Sequence, residues 1–199
     1  AVLIATGLRD ELPEIPGVQD RWGSLVHHCP YCHGWEVRDR AIVVIGGAAR
    51  ELSMRQARLL RRLSDRVTLA TNGIELTPAE RASLAATGVT VIDGTVSHLV
   101  GEPHELAAVA LTDGTLVTCD AVFVAPRPRP NDTLLLAMGC AVDPALGFVA
   151  VDAVGHTSVV GVWAAGNVVT PTAQVITAAG NASASAIAIS AWLLAPSRA

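Results

Sequence analysis

Cys29 and Cys32 lie in the run Cys29-Pro30-Tyr31-Cys32-His33, with two residues between them. That spacing lets one turn of chain bring two sulfurs close enough to join. A thiolate held there is stabilised by helix-end dipoles and neighbouring cations, which lower its pKa below the free value of about 8.5. Low pKa and exposure together make such a pair a thiol–disulfide exchange catalyst. His33 follows at once, and an imidazole can move protons near neutral pH. Three other readings compete. Half of a structural zinc site would need two more ligands of similar spacing, whereas Cys119 and Cys140 are single. A c-type haem attachment also spells CxxCH, but belongs with an oxidising compartment and a small helical domain. The third is a pair of unreactive cysteines. The strand–helix–strand pattern that follows favours the redox reading.

That pattern begins at Ala41-Ile42-Val43-Val44-Ile45, a continuous apolar run of the kind a central parallel strand carries. Gly46-Gly47 turns the chain. Glu51 to Leu63 is expected to be helical, with Leu52, Ala57, Leu59, Leu60 and Leu63 roughly on one face and arginines on the other. Val67 to Ala70 reads as the second strand. Thr77-Pro78-Ala79-Glu80 starts another helix, with Thr77 at the N-cap, Pro78 at the first helical position and Glu80 two residues on. Val89 to Ile92 is a third strand. Ala108 to Leu111 and Leu116 to Cys119 flank Asp113-Gly114, a hairpin signal. Asp120 to Ala125 is a further strand, and the prolines of Pro126 to Pro130 mark a linker that cannot be helical. Beyond it, Val149 to Val151 and Val160 to Ala164 read as strands. Upstream, Val2 to Ile4 reads as a buried strand ending at Thr6-Gly7, and Trp22 to Gly34 as a connector into a turn of helix.

Just over half of the 199 residues are hydrophobic, enough for a proper core. The net charge of −4 disfavours nucleic acid and anionic membrane as partners. Four cysteines are too sparse for a disulfide framework, and no signal peptide is recognisable, so the expected location is the cytoplasm. Val175 to Leu194 is the most apolar late stretch. Thr177, Asn181, Ser183, Ser185 and Ser190 interrupt it, so a buried helix is expected rather than a membrane span. The chain opens at Ala1 directly in a strand-like run, without Met, and an N-terminal portion is expected to be missing.

The stretch His28-Cys29-Pro30-Tyr31-Cys32-His33-Gly34-Trp35-Glu36, followed by Ile42 to Ile45 and Gly46-Gly47, resembles low-molecular-weight thioredoxin reductases. Within them it is most similar to the relatives that oxidise small dithiols, the gliotoxin- and holomycin-type dithiol oxidases. Ala5-Thr6-Gly7 is similar to the motif closing the first part of the family's FAD domain. Gly161 to Asn167, then Ala173 to Gly180, resembles its flavin-contacting C-terminal segment. The resemblance implies an α/β architecture of two Rossmann-like domains, the first discontinuous and incomplete. Residues 1–23 and 131–199 would form the FAD-binding domain; 24–130 would form an NAD(P)-binding-like insert carrying the CxxC. It implies FAD held by Thr6, Gly7, Gly166, Asn167, Gln174 and Val175, catalysis by Cys29, Cys32 and His33, and a homodimer. By resemblance Cys32 faces the flavin and Cys29 meets the substrate. Gly166 permits close backbone approach, and the helix N-terminus at Gln174 to Thr177 can stabilise negative charge on a reduced flavin.

The sequence also departs from the family. No GxGxxG strand precedes Ala1. Thioredoxin reductases carry Asp where Asn167 stands, and usually Asp where His33 stands; the dithiol oxidases have His there. The nicotinamide turn, Gly46-Gly47-Ala48-Ala49-Arg50-Glu51, sets a carboxylate where a pyrophosphate should sit. Thr71 and Asn72 are neither the arginines an NADP site wants nor the acid an NAD site wants. Three functions follow: a dithiol oxidase using FAD and oxygen; an NADPH-dependent disulfide reductase; and a degenerate flavin-fold protein without catalysis. The first is preferred, with NADPH unused. His27, His28 and Trp35 are candidates to line the approach to the disulfide, Trp35 equally a core residue.

Overall fold

The computed structural model describes residues 1–102 and 104–195, so the last four residues of the 131–199 segment lie outside the described residues. In chain order the first strands are β1 (Val2–Ile4), β2 (Leu8–Glu11), β3 (Val26–His27), β4 (Ile42–Ile45), β5 (Val67–Ala70) and β6 (Thr90–Ile92). There follow β7 (Val96–Val100), β8 (Ala108–Leu111), β9 (Leu116–Thr118), β10 (Ala121–Phe123), β11 (Arg127–Pro130) and β12 (Val162–Ala164). The helices are α1 (Pro30–His33), α2 (Arg50–Leu60), α3 (Pro78–Ala86), α4 (Thr133–Ala137) and α5 (Val175–Leu194). The chain divides into two units, residues 12–127 and residues 1–11 with 128–199.

In the unit of residues 12–127, the apolar run Ile42–Ile45 is the middle strand of a parallel sheet ordered β3-β10-β4-β5-β6. All four of its side chains are buried, as a parallel strand covered on both faces requires. Ile42 and Val44 point to one side, with Met54, Leu60, Leu84 and Phe123. Val43 and Ile45 point to the other, with Val109, Leu111 and Val122. There the antiparallel β7-β8-β9 sheet lies, its β8–β9 turn built on the Asp113-Gly114 pair. Each buried Ile or Leu contributes about 1.5–3 kcal/mol. Thr77 and Glu80 form the reciprocal capping box of α3. Leu12, Ile15 and Val18 pack in this unit's core, so the segment leading into β3 sits with it.

In the other unit β1 runs parallel to β12, pairing Val2 with Val162 and Ile4 with Ala164. Ile4, Leu135, Val149, Val162 and Val168 form its core. The proline-rich segment read as a linker contributes β11, paired with β2. Val149 makes only an isolated bridge to Val142, not a strand. Helix α5 has the extent expected but not the burial: Ser185 is its one buried residue, while Val175, Ile176, Ile187, Leu193 and Leu194 are exposed. The expectation of a buried helix is therefore corrected. The half-buried positions Ala178, Ala182 and Ile189 share a face with Ser185, and only that small-residue face packs. By length and composition α5 is also apolar enough to cross a membrane.

Candidate active site

Pro30 opens α1, and Cys29 occupies its N-cap. The Cys29 carbonyl accepts from the amides of Cys32 and His33, both at 3.1 Å, which winds the chain so that the two side chains meet. Cys29 and Cys32 form a disulfide, with Cα atoms 5.3 Å apart. Cys29 is half-buried and Cys32 exposed. Behind the turn, the Gln56 amide donates to the His28 carbonyl at 2.6 Å and the Val124 carbonyl at 3.0 Å. One buried side chain on α2 thus ties the backbone entering the CxxC to the end of β10. Sequence reading passed over Gln56; a polar residue among Ser53, Met54, Ala57 and Leu60 on the buried helix face was its only signal.

His33 stacks on His27, with ring centroids 4.5 Å apart. Its Nδ1 lies 3.0 Å from Glu36 Oε2. His27 does not line the approach to the disulfide: it is buried beneath His33, against Phe123. Burial, and then His33, pull its pKa down to about 4, so it is neutral at working pH. Its Nδ1 has no hydrogen-bond partner among the described residues. His28 is exposed and stacks on Trp22 at 5.6 Å. Trp35 is 66% exposed, which rules out the core alternative. The Arg38 guanidinium lies 4.4 Å from its ring centre and donates to the Trp35 carbonyl. The other cysteines stand apart: Cys119 is buried, which pushes its thiol up to about 12, and Cys140 contacts Thr157 in the core of the other unit. A buried thiol of that kind is inert.

The turn after β4 is closed by its own side chains. A Cβ at Gly46 would collide with the Thr71 carbonyl oxygen. Asn72, in the left-handed region at φ 46°, donates to the Gly46 carbonyl and accepts from the Val96 amide, each at 2.9 Å. Arg50 pairs with Glu51 and Glu80 and donates to the Glu75 carbonyl. The Thr77 amide and hydroxyl, and then Arg50, hold the Glu80 carboxyl below the usual range. The one cation at the start of α2 is therefore already engaged by two carboxylates.

The remaining candidates gather in the unit of residues 1–11 and 128–199. Parallel pairing makes Thr6-Gly7 and Gly166-Asn167 leave one edge of the β1–β12 sheet. The Thr6 hydroxyl donates to the Asn131 carbonyl at 2.7 Å, and Asn131 returns a bond to the Thr6 carbonyl at 3.0 Å. Asn131, which sequence reading used only as a boundary, thus clamps the Thr6-Gly7 turn. Gly166 has φ 76°, a conformation glycine adopts without strain. Asn167 Nδ2 donates to the carbonyls of Thr170, Pro171 and Ala173. Gln174 is the N-cap of α5 without a side-chain cap, Val175 opens the helix, and no acidic residue follows in the first turn.

Comparison with known proteins agrees with this arrangement. The family model described as pyridine nucleotide-disulphide oxidoreductase matches residues 1–186. Thioredoxin reductase of Mycolicibacterium smegmatis is 32% identical over 97% of the chain and 64% of its own length. Thioredoxin reductase aclD of Aspergillus oryzae is 33% identical over 57% of the chain and 38% of its own length. The crystal structure of HlmI superposes with a TM-score of 0.91 at 49% identity, over 97% of the chain and 60% of HlmI. The chain thus spans no more than about two thirds of these relatives. With the paired CxxC on an α/β unit and the glycine turn ahead of α5 both in place, the chain is a thioredoxin-reductase-like member of the pyridine nucleotide-disulphide oxidoreductase family.

Proposed function

We propose that the protein oxidises a small-molecule dithiol to its disulfide through Cys29 and Cys32. FAD, the family's cofactor, supplies when bound a two-electron acceptor for the reduced cysteine pair, with oxygen as terminal acceptor. The residues present fit its flavin end: α5 begins uncapped, so the amides of residues 175–177 are free of intrahelical bonds, and its first turn carries no acid. With Nδ2 spent on three carbonyls, the Asn167 side chain offers Oδ1 to a hydroxyl.

The chain's own part is thiol–disulfide exchange. A substrate thiolate attacks Cys29 Sγ and the Cys32 thiolate leaves. The second substrate thiolate then attacks the mixed disulfide, and Cys29 leaves. Two substrate S–H bonds become one S–S bond, and the protein disulfide becomes two thiols. His33, next to Cys32, takes the proton of the incoming thiol as the acid/base group of the exchange.

The observation that carries the reading is the closed turn after β4. Its glycine carbonyl is held by Asn72, and its arginine by Glu51 and Glu80. That leaves the side-chain cation of this turn already paired, and each charge-assisted bond a nicotinamide phosphate would have drawn from it is worth on the order of 1.5–3 kcal/mol. The competing reading is an NADPH-dependent disulfide reductase, favoured by relatives named thioredoxin reductase.

The test supplies FAD-loaded protein with dithiothreitol in air. One hydrogen peroxide per disulfide formed is expected, falling to background in Cys29→Ser and Cys32→Ser. Turnover that survives in the serine variants contradicts the proposal, as does dithiol oxidation that starts only when NADPH is added.

A further inference from the structure

We infer that Glu36 and His27 are positioning residues that fix which nitrogen of His33 takes the substrate proton. The inference rests on the dithiol-oxidation reading, in which His33 is the acid/base group. A neutral imidazole has one N–H and one lone pair. An ionised carboxylate only accepts, so Glu36 Oε2 at 3.0 Å makes Nδ1 the protonated nitrogen of His33. The lone pair is then on Nε2, which is the atom that accepts the thiol proton. The same logic orients the histidine of hydrolase triads through a carboxylate on Nδ1.

His27 fixes the ring from below. Its imidazole lies 4.5 Å from that of His33, tilted by 20°, and is itself wedged against Phe123. Two stacked imidazolium rings at that distance would repel. A proton taken up at His33 meets least repulsion while His27 stays neutral, as its burial favours, with its pKa pulled down to about 4. The other titratable groups acting on His27 are Glu36, which favours its protonated form, and His28, which opposes it. Neither Glu36 nor His27 touches the reacting sulfurs in this account.

The experiment reads the His33 tautomer by long-range nitrogen–proton NMR in the oxidised FAD-loaded protein. In parallel it measures the first anaerobic turnover with dithiothreitol, as oxidised dithiothreitol formed, from pH 5 to 8. Wild type is expected to hold the Nδ1–H tautomer. Glu36→Ala is expected to mix the tautomers and slow the turnover by roughly ten-fold, within the range for general acid–base groups. Glu36→Gln keeps the size but can donate to Nδ1 as well as accept, so it is expected not to restore the tautomer, and full recovery of tautomer and rate in it would overturn the role of the carboxylate. His27→Phe, which preserves the stack, is expected to stay within about three-fold of wild type, and His27→Ala to fall below it. His33→Asn separates the two levels. If it leaves rate and pH profile unchanged, the acid/base reading itself fails. If it slows turnover while Glu36→Ala keeps tautomer and rate, the role of Glu36 is overturned; equal rates in all three His27 forms overturn that of His27.

Discussion

The turn from β4 into α2 and the turn from β12 towards α5 both follow a buried parallel strand with glycine. Their helix entrances differ. At α2 the first turn carries Glu51, and Arg50 is drawn into pairs with Glu51 and Glu80. At α5 the first turn carries no acid; neither helix has a side-chain cap, so the acid and its ion pairs are what distinguish the two entrances. The polar side chains of the turns differ as well. Asn72 spends both ends of its amide inside the unit, on Gly46 and Val96. Asn167 spends only its NH2, on the loop of residues 170–173. A glycine turn before a helix is therefore not by itself an anion or cofactor site. What charge the first helical turn carries, and whether the turn's cation is already paired, decides how strongly the helix entrance attracts an anion.

The largest effect should come from the open turn. Gly166→Val forces a branched residue to φ 76°, at a cost of roughly 1–3 kcal/mol. Flavin affinity, read by fluorescence titration, should weaken about ten-fold or more; an unchanged dissociation constant breaks the comparison on the flavin side. On the closed turn, Asn72→Ala removes two hydrogen bonds that hold Gly46 and Val96. Urea unfolding should show a loss of about 1–3 kcal/mol, and a variant as stable as wild type would show that the clamp does not hold the turn shut.

The unit that bears the closed turn should also be acid-sensitive through His27. Its folded pKa of about 4 lies below the 6.5 of a free imidazole. The folded state thus binds fewer protons, and stability is full above about pH 6.5 and falls as pH drops towards 4. The loss between pH 7 and pH 5 should be about 2 kcal/mol, and His27→Phe should flatten that slope in urea titrations. The smallest effect is electrostatic. Glu51→Gln removes a charge from the first turn of α2, worth about 0.3–1 kcal/mol at an exposed site. NADPH affinity, measured by calorimetry, should rise by no more than about five-fold; no change at all would assign the closure to Asn72 and Arg50 alone.

Much of this was legible in the sequence. The continuous run Ile42–Ile45, the capping box at Thr77 and Glu80, the Asp113-Gly114 hairpin and the CxxC all carry their signal within a few residues. β2 (Leu-Arg-Asp-Glu) and the two-residue β3 were not legible, because each is a strand only through its partner. The packing of α5 was misjudged for a related reason: a helix apolar on every side does not announce that only its face through Ser185 is covered. At the site, the motif containing Glu36 was visible, but its bond to His33 Nδ1 depends on a rotamer. Gln56 and Asn131 act on backbone carbonyls far along the chain, and no local pattern encodes such partners.

The central claim is that electrons enter through Cys29 and Cys32 and not through the turn after β4. It is tested by mixing the FAD-loaded protein anaerobically with NADPH and, separately, with dithiothreitol, while following flavin absorbance. The account predicts bleaching by the dithiol alone, lost in Cys29→Ser, and peroxide formation when air is admitted. Rapid bleaching by NADPH would contradict it and establish the reductase reading.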